Sequence, residues 1–358
     1  MKTVVVGMSG GVDSSVAAFL LKQQGYNVIG VTMQIWQEED TCTVEKNGGC
    51  CGLSAVEDAR RVANCLDIPY YVMNFRDVFR QKVIDYFIKE YRAGRTPNPC
   101  IACNRYVKWQ SLLEKSLAIG ADYIATGHYA RVIQLENGRW TLQTSKELNG
   151  KSKDQTYALY NLTQPQLART LMPIGDYTKD EVRKIAEDNN LPVAHKPDSE
   201  EICFVPDNDY AGFIERDTGT KDKPGNFIDL KGKILGQHKG ITHYTVGQRR
   251  GLGLAVGHPI FVKKICPATN EIILAENADL FENTLEAVDI NIMAKEDIAT
   301  ERVMAKIRYN SKPAAATVEK IGDDRIRCIF DTPQCAITPG QSVVLYQDDH
   351  ILGGGTII

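Results

Sequence analysis

A glycine-rich turn between a short apolar strand and a helix constrains the fold of this chain more than any other feature. The β-branched run Val4–Val6 leads into the turn, and Ser14–Gln24 carries apolar residues at helical spacing before Gly25. Glycines let the backbone approach a ligand closely, and the amides at a helix start face an anion. The pattern therefore predicts a phosphate-binding loop. No Gly-Lys-Ser/Thr follows, so it is not a Walker A loop, and it is not the dinucleotide Gly-x-Gly-x-x-Gly either.

The first half of the chain alternates between strand-like and helix-like segments. Further strands are predicted over Val28–Met33, Tyr70–Met73 and Tyr123–Thr126, and further helices over Ser54–Leu66, Val78–Tyr91 and Arg105–Leu117. Alternation of this kind is typical of a parallel sheet covered on both faces. We therefore expect an α/β fold with a doubly wound parallel sheet over residues 1–205.

The pattern changes after Cys203, where glycines and turn dipeptides multiply. Six short strand-like runs then follow: Ala287–Ile292, Val303–Tyr309, Ala315–Ile321, Arg325–Phe330, Ser342–Tyr346 and His350–Ile357. Gly322-Asp323-Asp324 and Gln347-Asp348-Asp349 are typical of hairpin turns. We expect a small central domain over 206–281 and a C-terminal antiparallel β-barrel over 282–358.

Charge and hydropathy exclude several classes of protein. The 42 Lys and Arg residues against 45 Asp and Glu give a net charge of −3, which excludes a globally basic nucleic-acid binder. A local basic feature remains, since Lys221–Lys264 contains nine basic residues and two acidic ones. No apolar run approaches the ~18 residues of a membrane helix, and no signal peptide is evident. We expect a cytoplasmic protein with no membrane partner.

Two cysteine-bearing segments among the ten cysteines are candidates for chemistry. Cys100 and Cys103 follow two prolines and precede a predicted helix, whose dipole would stabilise a thiolate at Cys103. Cys203 lies in Asp-Ser-Glu-Glu-Ile-Cys-Phe, starting at Asp198. The alternatives are a zinc half-site for the first pair and a buried structural thiol for Cys203. Cys50 and Cys51 have no assigned role.

The glycine turn resembles the pyrophosphate loop of the N-type ATP pyrophosphatases, and further motifs narrow the resemblance. In order they are Ser-Gly-Gly-Val-Asp-Ser-Ser from residue 9, Thr-Pro-Asn-Pro-Cys-Ile-Ala-Cys-Asn from 96, Ala-Thr-Gly-His-Tyr from 125, Lys-Asp-Gln from 153, Asp-Ser-Glu-Glu-Ile-Cys-Phe from 198, Thr-Val-Gly-Gln-Arg-Arg-Gly-Leu-Gly from 245 and Thr-Pro-Gly-Gln from 338. Over nearly the whole chain they resemble the bacterial tRNA-specific 2-thiouridylases.

The resemblance implies ATP-dependent 2-thiolation of the wobble uridine of tRNA. ATP adenylates the C2 oxygen and pyrophosphate leaves. A cysteine persulfide then displaces AMP, which gives 2-thiouridine. The family pattern makes Cys203 the persulfide carrier and Cys103 the nucleophile.

The resemblance also implies binding residues and partners. The nucleotide contacts are Gly7, Met8, Ser9, Gly10, Gly11, Val12, Asp13, Ser14, Met33 and Gly127, and the tRNA contacts are Asn98, Pro99, Cys100, His128, Lys153, Asp154, Gln155, Arg308, Tyr309 and Gln341. The implied partners are the tRNAs for Lys, Glu and Gln and a persulfide donor such as a cysteine desulfurase or a sulfur-relay carrier. Mg²⁺ is expected with ATP, and no resident metal site is predicted.

One position departs from the family pattern. Many members have Asp where this chain has Cys100, which puts the acid–base role of that position in doubt. The substitution also creates a three-cysteine set, Cys100, Cys103 and Cys203, that would suit an iron–sulfur cluster. We favour the persulfide route because Cys103 and Cys203 suffice for it.

Two rival functions stay open from the residues alone. A different pyrophosphatase, such as an amide-forming ligase, would need neither paired thiols nor a basic segment. A non-catalytic RNA-binding protein would hold ATP only as a structural ligand. Pyrophosphate release that depends on tRNA separates both rivals from a thiolase.

Overall fold

The computed structural model describes residues 1–35, 53–146, 153–198 and 202–358. The chain divides into two compact units. Unit 1 comprises Met1–Val83, Cys100–Pro206 and Asp349–Ile351, and unit 2 comprises Ile84–Pro99, Asp207–Asp348 and Leu352–Ile358. No helix in the described part of the chain combines the length and apolarity needed to cross a membrane.

Unit 1 is built on a five-stranded sheet in the order β3-β2-β1-β4-β7. The strands are β1 (Thr3–Gly7), β2 (Asn27–Gln34), β3 (Tyr70–Asn74), β4 (Tyr123–Ala125) and β7 (Thr170–Leu171). Each neighbouring pair runs parallel. The predicted parallel sheet is therefore confirmed.

The central strand shows why this sheet is covered on both faces. Successive side chains of a strand point to opposite faces, yet Val4, Val5 and Val6 are all fully buried. Val4 and Val6 share one apolar cluster with helix α1 (Val12–Gln23) and with helix α8 (Lys179–Asp188). A strand buried on both faces is apolar throughout.

Two long helical runs, residues 76–92 and 99–118, each consist of two α-helical segments with a π segment between them. Besides α1 and α8, the described helices of the first 200 residues are α2 (Leu53–Cys65), α3 (Arg76–Phe79), a π segment (Arg80–Ile84), α4 (Asp85–Arg92), α5 (Pro99–Ala102), a π segment (Cys103–Leu112), α6 (Leu113–Ala118), a 3₁₀ turn (Thr156–Leu159) and α7 (Gln164–Leu167). The helix predicted from Arg105 is part of a composite helix made of α5, the π segment Cys103–Leu112 and α6, and this composite helix begins earlier, at Pro99. Proline suits the first helical position because its missing N–H has no intrahelical partner there.

Unit 1 also contains a hairpin that the sequence analysis missed. Strands β5 (Ala130–Gln134) and β6 (Trp140–Thr144) pair antiparallel around a turn in which Gly138 has φ +81°. The dipeptide Asn137-Gly138 between two alternating segments is the signal that could have predicted it.

The central part of unit 2 is a small four-stranded sheet, with strand order β10-β11-β8-β9. Helix α9 (Tyr210–Thr218) precedes the strands β8 (Gly225–Ile228), β9 (Ile234–His238), β10 (Phe261–Cys266) and β11 (Glu271–Ala275), and 3₁₀ turns cover Ile241–His243 and Asn277–Leu280. An apolar cluster around Phe227 and Val262 forms its core.

The C-terminal part of unit 2 is the predicted barrel of six antiparallel strands. The strands are β12 (Phe281–Ile292), β13 (Thr300–Lys306), β14 (Ala314–Gly322), β15 (Arg325–Cys335), β16 (Ser342–Gln347) and β17 (His350–Ile357), in the order β12-β15-β14-β13-β16-β17. Pairing of β12 with β17 closes the barrel. Strand β13 ends earlier than predicted because Ser311 bonds to the backbone of Arg308 and turns the chain there.

Candidate active site

The glycine loop leaves the carboxyl end of β1 and enters α1, as the sequence predicts. Gly10 has φ +69°, and a Cβ there would lie 2.3 Å from the carbonyl oxygen of Ala55. Both the backbone angle and the space therefore require glycine. Gly11 is the N-cap of α1 in an extended conformation, without a side-chain capping bond. The first amides of the helix are thus not capped by a side chain of that residue, which suits an anion site.

Hydroxyl groups hold the loop in shape. The Ser9 amide donates to Ser14 Oγ at 3.2 Å, and Ser15 Oγ donates to the Gly11 carbonyl at 2.8 Å. From the neighbouring strand, Thr32 Oγ1 donates to the Met8 carbonyl at 2.7 Å. These bonds tie the loop backbone to α1 and β2, so the predicted phosphate contacts are preorganised.

The two predicted nucleotide contacts outside the loop lie beside it. A Cβ on Gly127 would be 2.5 Å from the Ser14 amide nitrogen, so the backbone after β4 packs directly on the start of α1. Met33 Cε lies 3.8 Å from the Cβ position of Gly7. The ends of three adjacent parallel strands thus converge at one place, which is where open α/β sheets bind ligands.

Asp13, in the first turn of α1, is the centre of a hydrogen-bonded charge network. Its Oδ1 accepts from the Tyr129 hydroxyl at 2.7 Å and from Lys179 Nζ at 2.7 Å. Burial and the Asp13 carboxylate raise the pKa of Tyr129, so this hydroxyl stays a donor at neutral pH. Asp13 is therefore oriented from two sides.

Lys179 links this network to the segment that contains Cys203. Its ammonium also lies 2.7 Å from Asp198 Oδ1, and Lys153 Nζ lies 2.6 Å from Asp198 Oδ2. Burial opposes ionisation of Asp198, but hydrogen bonds from Lys153 and Lys179 lower its pKa to about 2. One lysine thus connects the nucleotide loop with the first residue of the segment that carries Cys203.

The Cys100–Cys103 segment lies at the start of the composite helix. Cys100 is exposed in its first turn, and Cys103, partly exposed, opens the π segment. The next residue, Asn104, is buried and donates its amide to the Ala158 carbonyl at 2.8 Å. A mid-helix π segment is frequent at functional sites because it redirects side chains relative to a regular helix.

The Cys203 segment is anchored by its neighbour. Phe204 is buried, and its ring packs edge-on against Phe79 at 5.7 Å between centroids. A turn from the Val205 amide to the Ile202 carbonyl, 2.9 Å, leaves Cys203 partly exposed. Residues 199–201 of this motif lie outside the described residues, as do Cys50 and Cys51.

The three-cysteine set does not form a metal centre in this structure. Among the described residues, which include Cys100, Cys103 and Cys203, no three His, Cys, Asp or Glu side chains come together in a way that could hold a metal ion. An iron–sulfur cluster therefore does not fit the present arrangement of these thiols.

His128, a predicted tRNA contact, is held within unit 1. Its Nδ1 lies 2.7 Å from Thr126 Oγ1, and its Nε2 lies 3.4 Å from Lys108 Nζ. Burial and the Lys108 ammonium hold the pKa of His128 well below its ordinary value. Since an ammonium can only donate, Nε2 accepts and Nδ1 carries the proton. A neutral ring cannot neutralise a phosphate charge.

Asp154 and Gln155 also bond within unit 1. The Ser145 amide donates to Asp154 Oδ1 at 3.1 Å, and the Tyr129 amide donates to Gln155 Oε1 at 3.0 Å. These two side chains therefore fix the ends of the β5–β6 hairpin. Lys153 is exposed apart from its ion pair with Asp198.

The predicted tRNA contacts of unit 2 have different surroundings. Arg308 donates to the Cys335 carbonyl at 3.0 Å, and Tyr309 is 39% exposed. The Gln341 amide donates to the Thr96 carbonyl at 2.8 Å. Asn98 is partly exposed and Pro99 is buried.

The basic segment Lys221–Lys264 lies in unit 2. Arg249 and Arg250 are exposed. Arg249 and residues 251–260, which include His258, line an open cavity of about 600 Å³. Lys263 forms an ion pair with Glu282.

Three functional candidates were missed by the sequence analysis. Tyr129 and Lys179 bind Asp13, and Lys196 donates to the Gly10 carbonyl at 3.1 Å and to Asp58 at 2.6 Å. Thr178 beside Lys179 forms a capping box with Glu181, a pattern visible in the sequence. That pattern predicts the start of the helix but not that the Lys179 side chain points toward Asp13.

Comparison with known proteins gives matches over almost the whole chain. Residues 2–207 match the model of the tRNA methyl transferase HUP domain. Residues 211–276 match the tRNA methyl transferase PRC-barrel domain, and residues 282–357 match the aminomethyltransferase beta-barrel domain.

Similar full-length proteins share one name, tRNA-specific 2-thiouridylase MnmA. The protein from Lachnoclostridium phytofermentans is 66% identical over 100% of both chains. The protein from Clostridioides difficile is 57% identical over 99% of this chain and 98% of its own. The protein from Carboxydothermus hydrogenoformans is 55% identical over 99% of this chain and 97% of its own.

Proposed function

We propose a function for this chain from the family to which it belongs, the bacterial tRNA-specific 2-thiouridylases of the PP-loop superfamily. At the coarse level the chain is a tRNA-thiolating enzyme that uses ATP. The finer proposal is 2-thiolation of the wobble uridine by adenylation followed by persulfide attack.

One observation carries this proposal, namely the connected site of unit 1. The loop accepts nothing larger than hydrogen at Gly10, and its Asp13 is linked through Lys179 to Asp198, five positions before Cys203. An ATP-cleaving loop alone would fit many ligases. Its link to a cysteine segment supports an enzyme that follows nucleotide chemistry with sulfur chemistry.

In the first step, the uridine C2 oxygen attacks the α-phosphorus of ATP, and pyrophosphate leaves. Gly7 to Ser14 would bind the phosphates through loop amides and hydroxyls, and Met33 and Gly127 would contact the nucleotide. Mg²⁺, which binds through one or two carboxylates and substrate phosphates, would neutralise charge on the leaving pyrophosphate. Asp13 is the carboxylate that fits this role.

In the second step, the terminal sulfur of a persulfide on Cys203 bonds to C2, and AMP leaves with the former C2 oxygen. The Cys103 thiolate then attacks the Cys203 sulfur, which leaves the transferred sulfur on uridine and joins the two cysteines. A dithiol reductant restores both thiols. This route uses no iron–sulfur cluster, and the alternative is the same reaction with a cluster held by Cys100, Cys103 and Cys203.

The proposed partners are those that the family resemblance implies. The substrates would be the tRNAs for Lys, Glu and Gln, with a cysteine desulfurase or a sulfur-relay carrier as persulfide source, in the cytoplasm. We assign catalysis to residues 1–205, and tRNA binding to the basic domain 206–281 and the barrel 282–358. The proposed tRNA contacts are those that the family resemblance implies: Asn98, Pro99, Cys100, His128, Lys153, Asp154, Gln155, Arg308, Tyr309 and Gln341.

The test is reconstitution with unmodified tRNA for Lys, ATP, Mg²⁺ and a desulfurase with cysteine. Digestion and mass spectrometry of the wobble nucleoside should show replacement of one oxygen by sulfur, with one pyrophosphate released per thiolation. Omission of ATP or of the desulfurase is the control. Pyrophosphate release that needs no tRNA, with an unchanged nucleoside, would contradict the proposal and favour an amide-forming ligase.

A further inference from the structure

The segment before the first cysteine motif is fixed within unit 2. Gly94 has φ +69°, and a Cβ there would lie 2.9 Å from Ile265 Cγ2 and from Pro267 Cγ. Arg95 forms a two-pronged ion pair with the buried Glu90, with both N–O distances 2.6 Å. The chain is therefore held closely where it leaves helix α4.

Both backbone groups of Thr96 are bound by one turn of the barrel. The Thr96 amide donates to the Pro339 carbonyl at 2.8 Å, and the Thr96 carbonyl accepts from Gln341 Nε2 at 2.8 Å. Gly340 between them has φ +89°, and a Cβ there would lie 2.9 Å from the Thr96 nitrogen. The turn is thus shaped to bring its backbone against Thr96.

The basic domain adds a third contact at the same residue. Thr96 Oγ1 donates to Thr245 Oγ1 at 3.3 Å. Thr245 lies four residues before Arg249, and its own amide is held by Gln248 Oε1 at 3.0 Å. Elements from both parts of unit 2 therefore meet at one threonine.

The anchored Thr96 restricts the three residues after it. Pro97 and Pro99 each restrict φ, and each restricts the residue before it. Asn98 lies between them, so its direction depends on the anchor at Thr96. We call Thr96, Thr245, Pro339 and Gln341 the loop latch.

We propose that Gln341 is a positioning residue, which orients the loop of Asn98 and Pro99 by holding Thr96, in addition to the tRNA contact that the family resemblance implies for it. This inference rests on the proposed function, in which that loop meets the target base. One of the two N–H groups of the Gln341 side-chain amide donates to the loop. The contacts that hold Thr96 would then lie in the same unit that is proposed to bind tRNA.

The test compares Gln341→Ala with Gln334→Ala, a matched control. Gln334 is an exposed barrel residue whose amide likewise donates to a backbone carbonyl, that of Thr332, at 2.8 Å. We expect Gln341→Ala to lower kcat for thiolation by roughly ten- to a hundredfold, as misplacement of reacting groups does, and by a larger factor than any rise in Kd for tRNA. The control should retain wild-type kcat.

Amide hydrogen exchange supplies a readout that does not depend on activity. Exchange at residues 94–98 should accelerate at least about fivefold in Gln341→Ala, since one bond near 1 kcal/mol is lost. Should that variant fold poorly, Thr245→Val weakens the same latch from the other side and should give a smaller kcat loss without a change in Kd.

Two outcomes would overturn the inference. One is weaker tRNA binding with normal kcat, which would make Gln341 a tRNA contact and not a positioning residue. The other is unchanged exchange of the loop. Wild-type protein that shows slow amide exchange at residues 94–98 but does not thiolate tRNA would contradict the proposed function. It would not contradict the role of Gln341 in holding the loop.

Discussion

The region of the glycine loop in unit 1 and the barrel in unit 2 differ in where they keep their charged groups. In unit 1, Lys179 has a side chain only 12% exposed and joins Asp13 to Asp198 beside the glycine loop. In unit 2, ion pairs such as Arg302–Asp331 and Lys320–Asp297 lie at the surface of the barrel. Surface pairs contribute about 0–1 kcal/mol each, whereas partly buried ones cost more to break. Charge thus lies within the candidate site in unit 1 and on the outer surface of the barrel in unit 2.

This difference suggests that the two units have separate roles, and variants of each unit test that suggestion. Variants of the glycine loop and of Cys103 and Cys203 in unit 1 should change the chemistry without changing tRNA affinity. Variants of the surface of unit 2 should change tRNA affinity or its salt dependence without changing nucleotide binding.

The largest effect is expected for Cys103→Ser and Cys203→Ser. Either change removes a thiol that the sulfur step requires, so thiolation should fall to background while pyrophosphate release in the presence of tRNA continues. Nucleoside mass analysis and a pyrophosphate assay check this. Cys266→Ser, at a partly exposed cysteine of β10, is the control and should be active. Thiolation that persists in either variant would exclude the two-thiol route.

Asp13→Ala should abolish pyrophosphate release and leave the fold and tRNA affinity intact. The variant loses the carboxylate that binds Tyr129 and Lys179 and that would approach Mg²⁺. A pyrophosphate assay and tRNA titration measure the two effects. Asp188→Asn, exposed at the end of α8, should behave like the wild type. Near-normal turnover of Asp13→Ala would remove this loop from the active site.

In unit 2, Arg249→Ala combined with Arg250→Ala should lower the slope of log Kd against log salt for tRNA by about two. Both arginines are exposed in the basic segment. ATP binding should not change. The matched control is Arg302→Ala with Arg325→Ala, because each of those arginines is already paired with a carboxylate. An unchanged slope in the first pair would exclude this segment from the tRNA interface.

A smaller effect is expected on acid stability. The pKa of Asp198 is lowered from 3.8 to about 2 by its lysines, despite opposition from burial. A lowered carboxyl pKa adds stability above about pH 4, and this stability is lost as the pH falls toward 2. Asp198→Asn should therefore cost about 1–2 kcal/mol at pH 7 and much less near pH 2. Denaturant unfolding at several pH values measures this, with Asp188→Asn as control. An equal cost at both pH values would contradict it.

The smallest effect is expected for Cys100→Ser. If persulfide transfer uses only Cys103 and Cys203, this variant should keep thiolation within about threefold of the wild type. Protein purified anaerobically should then contain no stoichiometric iron by elemental analysis. Iron that is present at stoichiometric level and needed for activity would overturn the persulfide route.

The sequence predicted those features that depend on local chemistry. Strand β1, the glycine loop and α1 follow from a β-branched run, glycines and an apolar helical face within 25 residues. The barrel followed from alternating runs and acidic turn residues, and Asp348 indeed has φ +53° in the turn before β17. The composite helix from Pro99 was predicted six residues late because its first turn carries little apolar periodicity.

Side-chain partners could not be predicted in the same way. Gln155, interpreted from the family motif as a tRNA contact, bonds to the backbone of Tyr129, and Gln341 bonds to that of Thr96, 245 positions away in sequence. The sequence shows only that an amide is present. Its partner depends on which strands and turns the fold brings within 3 Å.

The sequence by itself determined the parallel sheet, the barrel and the glycine loop, because backbone preference and hydrophobic periodicity act over a few residues. Only the tertiary structure decided that Lys179 would join Asp13 to Asp198, and that Thr96 would be held from two sides. Such contacts arise when strand order and turn geometry bring distant residues together, and no local pattern encodes that distance.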